Sequence, residues 1–245
     1  MTSTAKDLTP PERPGATAEP GEEGRLRLAY WRRSPMRWWI VGGGFVAAVV
    51  SGLVYAMAVK ATGDWHQGLP WERDMMARVD YTLPRWLDLL FLTVPWTATN
   101  ITLAPFTYGA AFWLIKRKRW DLALHIAVVQ TGSFALNFAT KFLFDRARPE
   151  LWEKRGQFSW ASYPSGHAIT TVAVLFTVAY LLERDRCWRW PYAVITVIAC
   201  ITIWSRLYLG VHWPTDVIGG GIMGAIWLGA TLVAFARDRD CGVEG

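Results

Sequence analysis

The chain has 245 residues, of which 52% are hydrophobic and only 19% charged, and it carries 16 tryptophans. That length fits one domain, while the low charged share is not that of a soluble domain. Its net charge of +6 does not point to nucleic acid, because the basic residues flank apolar runs instead of forming one patch. Anionic lipid headgroups are the simpler partner.

Residues 1–24 are rich in Pro, Gly, Glu, Thr and Ala, have little to bury, and read as a disordered cytoplasmic tail. A six-helix membrane domain is expected over 25–240, with a short C-terminal tail at 241–245. Arg25, Arg27, Arg32, Arg33 and Arg37 lead into an apolar run from Trp38 to Val59. Ala56-Met57-Ala58 resembles a cleavage site. The long preceding tail, and a run near the roughly 20 residues that span a bilayer, favour a retained first helix.

Residues 60–85 are mixed. Trp71, Met75 and Val79 recur at helical spacing, which fits either a short helix on the membrane surface or an ordinary connection. A second apolar stretch runs from about Trp86 to Ile115, with Pro95 and Pro105 as candidate kinks. The third helix is expected over Asp121–Phe144, the fourth over Ser165–Leu182, the fifth over Trp188–Trp204, and the sixth from Pro214 to near Phe235. A polar loop, roughly 145–163, precedes the fourth. In the sixth, Gly220 and Gly224 have the spacing that lets membrane helices approach closely. Cys187, Cys200 and Cys241 match no metal or redox pattern and read as unpaired.

Six spans put both termini on one side. The N-terminal arginines, Lys116–Arg119, Arg184, Arg186, Arg189, Arg237 and Arg239 all fall there, so the positive-inside rule makes it cytoplasmic. The fold class is therefore all-α: a polytopic bundle of six transmembrane helices, expected in a bacterial plasma membrane. Lys141, Arg148 and Arg206 fall at the opposite, non-cytoplasmic helix ends. Charges beside a bilayer core are costly and are kept mainly for function.

Lys141 and Arg148 are two helical turns apart and share a face if the helix continues to Pro149. Such a pair suits a dianionic phosphate, Arg giving a bidentate grip and Lys a point charge; alone, it is equally consistent with positive flanking of a helix end. Pro164-Ser165-Gly166-His167 opens the fourth helix, whose first turn offers unpaired amides and a positive dipole end. The Ser165 hydroxyl adds a donor, Gly166 admits close backbone approach, and His167 points at a bound anion. His212 and Asp216 are four apart, and Pro214 suits a first helical turn. The carboxylate can then fix the imidazole tautomer and leave the other nitrogen as a nucleophile. Of the remaining histidines, His125 reads as a packed, hydrogen-bonded core residue and His66 as a solvent-facing loop residue.

Taken together, Lys141-x6-Arg148-Pro149, Pro164-Ser165-Gly166-His167 and Ser205-Arg206-x5-His212-x3-Asp216 resemble the three-part signature of the type 2 phosphatidic acid phosphatase superfamily, in order and in spacing. The resemblance implies a membrane-bound phosphatase acting on a lipid phosphate or diphosphate, with no cofactor, no metal and no obligate protein partner. It implies His212 as nucleophile, His167 as general acid and base, and Asp216 as its orienting group. Lys141, Arg148, Ser165, Gly166 and Arg206 would bind phosphate. The competing readings are a lipid-linked phosphotransferase using the same site and a non-catalytic phospholipid transporter or binding protein. Vanadate-dependent haloperoxidases share the superfamily but resemble soluble proteins, which six apolar runs argue against.

Overall fold

The computed structural model describes residues 35–79, 83–150 and 161–235. The expected tails, 1–24 and 241–245, lie outside them. Helix α1 spans Pro35–Ala61, α2 Pro70–Ala77, α3 Arg85–Thr93, α4 Asn100–Lys116 and α5 Trp120–Leu143. Then follow α6 (Gly166–Thr170), a π-helical turn (Thr171–Leu175), α7 (Phe176–Arg186), α8 (Trp190–Tyr208) and α9 (Pro214–Ala234). Among the described residues there is no strand, as a bilayer requires of a chain that must satisfy its backbone within each span.

Five helical segments are long and apolar enough to cross a membrane: Pro35–Ala61, Trp120–Leu143, Gly166–Arg184, Trp190–Tyr208 and Pro214–Ala234. The sixth is a broken span. Arg85–Ala98 and Asn100–Lys116 meet at 47°, with a 3₁₀ turn over Val94–Ala98 that contains Pro95. Pro105, by contrast, lies inside α4. Side chains such as Ile101 and Phe106 are about four-fifths exposed, an exterior that water would penalise and lipid tails would not.

The core is a stack of apolar layers between α1, α5, the α6–α7 span and α9. Ala48, Val129, Leu136, Ile169, Ala173, Met223 and Trp227 are fully buried there. Helix α9 runs through its centre, and its glycines make that possible. A Cβ on Gly220 would come within 2.5 Å of the Ser165 carbonyl oxygen, and one on Gly224 within 2.9 Å of that of Ile169. Helix packing, as the spacing of the two glycines implies, is thus their role.

Four expectations change. Helix α5 stops at Leu143, and Phe144 is already extended, so the helix does not carry through to Arg148. The short helix in 60–85 forms, but Val79 lies beyond its end. Cys187 is disulfide-bonded, while Cys200 is free. His125 is buried as expected, stacked on Phe235 at 4.5 Å, yet neither ring nitrogen has a hydrogen-bond partner.

Gly220→Ala should destabilise the protein by about 1–3 kcal/mol, because backbone has to give way. A Cβ at Gly221 would meet nothing within 4 Å, so Gly221→Ala should leave stability unchanged or raise it. The two melting temperatures in detergent check this.

Candidate active site

Three helix ends and one irregular segment meet at one end of the bundle. Residues 144–150, released from helix, are pinned by side chain and backbone alike. The Arg146 carbonyl accepts from the Ser162 amide at 2.8 Å, and the Ala147 carbonyl accepts from Trp213 Nε1 at 2.9 Å. Arg148 donates to the Val211 carbonyl.

This segment brings Lys141 and Arg148 together without a shared helical face. Lys141 Nζ donates to the Ala161 carbonyl at 2.9 Å, and Arg148 Nη2 reaches the same oxygen at 3.5 Å. From α8, Arg206 Nη1 lies 3.3 Å from His167 Nε2, and its Nε donates to Ser205 Oγ at 3.2 Å. Burial, together with the positive charge of Arg148, Lys141 and Arg206, holds the His212 imidazole well below its ordinary pKa. Arg148 is itself shifted downward, mainly by burial. The sequence-predicted cations and both histidines therefore form one electropositive cluster.

Ser165 is fully buried, and its hydroxyl has no partner within the protein, which suits a donor aimed at an anion. Its backbone amide does not serve that purpose, since it donates to the Asp216 carbonyl at 3.0 Å. Gly166 also differs from expectation. Its missing side chain makes room for Asn137, whose Oδ1 would sit 2.5 Å from a Cβ.

Asp216 is where geometry and spacing part most. His212 Nδ1 faces Asp216 Oδ2, but at 3.6 Å, beyond hydrogen-bond range. The carboxylate is taken up by nearer donors. Oδ2 accepts from Ser162 Oγ and from the Trp213 amide at 2.8 Å, and Oδ1 accepts from Arg146 Nη1 at 2.6 Å. Arg146, Ser162 and Glu72, which bonds Arg146 at 2.7 Å, were missed by reasoning from sequence. Arg146 sits inside the Lys141–Pro149 stretch, so its charge was visible while its partners were not.

Lys141, Arg148 and Arg206 thus gather with His167 and His212 at one end of an apolar, membrane-spanning bundle, an arrangement that suits an anion. The family comparison agrees: the PAP2 superfamily model matches residues 118–240, half of the chain, and the chain belongs to that superfamily. It is 34% identical over 112 residues to the putative undecaprenyl-diphosphatase YbjG of Escherichia coli, which covers 43% of this chain and 53% of that one. It is 35% identical over 115 residues to phosphatidylglycerophosphatase B of Bacillus subtilis, covering 45% and 56%. The chain thus matches about half the length of these curated relatives. Its fold is similar to the crystal structure of a transmembrane PAP2-type phosphatidylglycerolphosphate phosphatase from Bacillus subtilis. The TM-score is 0.62, with 24% identity, over 76% of this chain and 93% of that one.

Inorganic phosphate should stabilise the folded protein. At 100 times its Kd, the gain for one site is about 2.7 kcal/mol. Arg206→Gln should lose most of that gain. Melting in detergent with and without phosphate, at matched ionic strength, reads the difference.

Proposed function

We propose that this protein is an integral-membrane phosphatase that removes phosphate from a lipid phosphate or diphosphate through a phosphohistidine intermediate. The observation that carries this reading is the gathering of Lys141, Arg148 and Arg206 around two imidazoles, His167 and His212. Binding alone needs the cations. It does not need a buried imidazole held neutral beside them.

The chemistry follows from the assigned atoms. With Nδ1 of His212 turned to Asp216, the Nε2 lone pair is the nucleophile. It forms a bond to phosphorus as the bond to the leaving oxygen breaks, and His167 gives that oxygen its proton. An incoming phosphate draws the Arg206 guanidinium towards its oxygens and frees His167 Nε2 for this role. In the second half, His167 takes a proton from water as the hydroxide attacks phosphorus and the P–N bond breaks. Phosphate leaves, and both histidines return to their starting states. Lys141, Arg148, Arg206 and the Ser165 hydroxyl stabilise the equatorial oxygens, where charge must be held during transfer. In this mechanism Lys141, Arg148 and Arg206 supply the positive charge.

By the positive-inside rule, the basic loops support a site that faces away from the cytoplasm, with both termini within it. The relatives are named for undecaprenyl diphosphate, phosphatidylglycerophosphate and, in Rhizobium johnstonii, lipid A 1-phosphate. An outward-facing site fits recycling of a lipid carrier, which favours a polyprenyl diphosphate. A cleft of about 530 Å³ is lined by Trp71, Asp74, Met75, Arg78, Val79 and Trp204, and its apolar side chains suit part of a lipid chain.

Phosphate release from a panel of lipid phosphates and diphosphates, with chelator present, tests the reading. His212→Ala should cut turnover by on the order of 10³-fold or more while lipid binding persists; substantial remaining hydrolysis would remove His212 from its role. Because the nucleophile must be neutral and its pKa is pushed down, activity should persist as pH falls through about 6.5, the usual histidine value. The acid limb of kcat/KM against pH should therefore lie below that value.

A further inference from the structure

Glu72 lies outside the half of the chain that the family model matches, yet it reaches into the site. It is fully buried, on the inner side of α2. Its Oε2 accepts from Arg146 Nη2 at 2.7 Å, and its Oε1 accepts from the Thr215 hydroxyl at 2.6 Å and the Thr215 amide at 3.1 Å. Arg146 Nη1 in turn bonds both Thr215 Oγ1 and Asp216 Oδ1 at 2.6 Å, and its Nε donates to the Trp65 carbonyl at 2.9 Å. The guanidinium is enclosed by two indoles, with its carbon 4.5 Å from the Trp65 ring centre and 5.6 Å from that of Trp213. The three side chains Glu72, Arg146 and Asp216 have essentially no solvent contact.

The charges decide what this arrangement can do. Asp216 and Arg146 alone sum to zero. With Glu72 the buried triad carries one negative charge, and it sits beside an imidazole that becomes cationic when phosphorylated and is already faced by Lys141, Arg148 and Arg206. We propose that Glu72 is a positioning residue for this centre: by sharing the Arg146 guanidinium, it leaves the triad one net negative charge with which to support His212. This rests on the reading of His212 as the nucleophile. The other titratable groups around the triad and the imidazole are His167 on α6, Tyr55 on α1 and Tyr163 in the preceding loop.

A brace that merely holds α2 in place would lower stability when cut and leave the histidine alone. A charge-setting residue moves the histidine. The experiment compares full-length wild type with Glu72→Gln, Glu72→Asp and the double variant Glu72→Gln/Arg146→Gln in detergent. Their kcat/KM is measured against pH on whichever lipid the panel identifies. Glu72→Gln makes the triad neutral, so it should lower kcat by about tenfold with little change in KM. It should also shift the acid limb to lower pH by about half a unit to one unit. Glu72→Asp, which keeps the charge, should keep the limb. The double variant restores one net negative charge and should return the limb to its wild-type position, even with reduced stability.

An unshifted limb in Glu72→Gln would overturn the proposal. Should that variant not fold, the double variant decides: a limb displaced from wild type overturns the proposal, and a wild-type limb supports it. Release of no phosphate from any lipid by wild type would instead overturn the phosphatase reading. The charge effect then remains readable without turnover, from the imidazole C2–H titration of His212, assigned by its loss in His212→Ala. A His212 titration identical in wild type and Glu72→Gln overturns the proposal on its own.

Discussion

A guanidinium buried between two carboxylates can be stable only if every one of its partners stays in place. Arg146 meets that condition through Glu72 on α2, Asp216 and Thr215 on α9, and the Trp65 carbonyl ahead of α2. Removing the guanidinium from such a group leaves buried carboxylates unpaired and costs about 3–5 kcal/mol. The arrangement is therefore close to all-or-none, and it joins α2, the segment 144–150 and the start of α9. Both carboxylates occupy the third position of their helices, and each also accepts the backbone amide just before its helix, Leu69 for Glu72 and Trp213 for Asp216. Each acid thus caps a helix whose dipole favours it while its remaining lone pairs hold Arg146. Helix initiation and charge burial are satisfied by the same atoms.

That anchoring explains how the chain leaves helical structure at the membrane boundary. Irregular backbone at this depth is tolerated only where protein satisfies its polar groups. Between Phe144 and Glu150 the carbonyls of Arg146 and Ala147 are taken by Ser162 and Trp213, and the side chains of Arg146 and Arg148 are fixed by carbonyls of other segments. The segment is rigid because it is bonded across, not along. A segment held in this way keeps Lys141 and Arg148 at one carbonyl, and donors that need no rearrangement contribute most to stabilising developing charge.

Much of this was legible in the sequence. Apolar run lengths located the spans, since a helix must cover about 30 Å of hydrocarbon, and motif spacing picked out the cations and imidazoles. What failed was local geometry. Lys141 and Arg148 would share a face if the helix continued, but it stops at Leu143, and in the irregular segment beyond it Arg146 bonds to Trp65 and Glu72. The four-residue spacing of His212 and Asp216 gave proximity, at 3.6 Å, and no hydrogen bond, because closer donors occupy the carboxylate. Glu72 was illegible for a different reason. Its partners lie 74 and 143 positions away, and a lone Glu in a short amphipathic stretch looks like surface.

The division of the chain then bears on specificity. The family match begins at residue 118 and contains Lys141, Arg148, His167, Arg206, His212 and Asp216. Helix α2 lies before it. One side of α2 carries Glu72 and Met76 into the core, while Trp71 and Met75 remain exposed along the cleft that includes Trp204. An eight-residue helix cannot shift one side without shifting the other. A load on Trp71 or Met75 therefore acts on the same short helix that bonds Arg146 through Glu72. On the proposed function, the surface that would meet the variable part of a lipid and the charge that would support His212 belong to a single element, so that changes retuning one would act on the other.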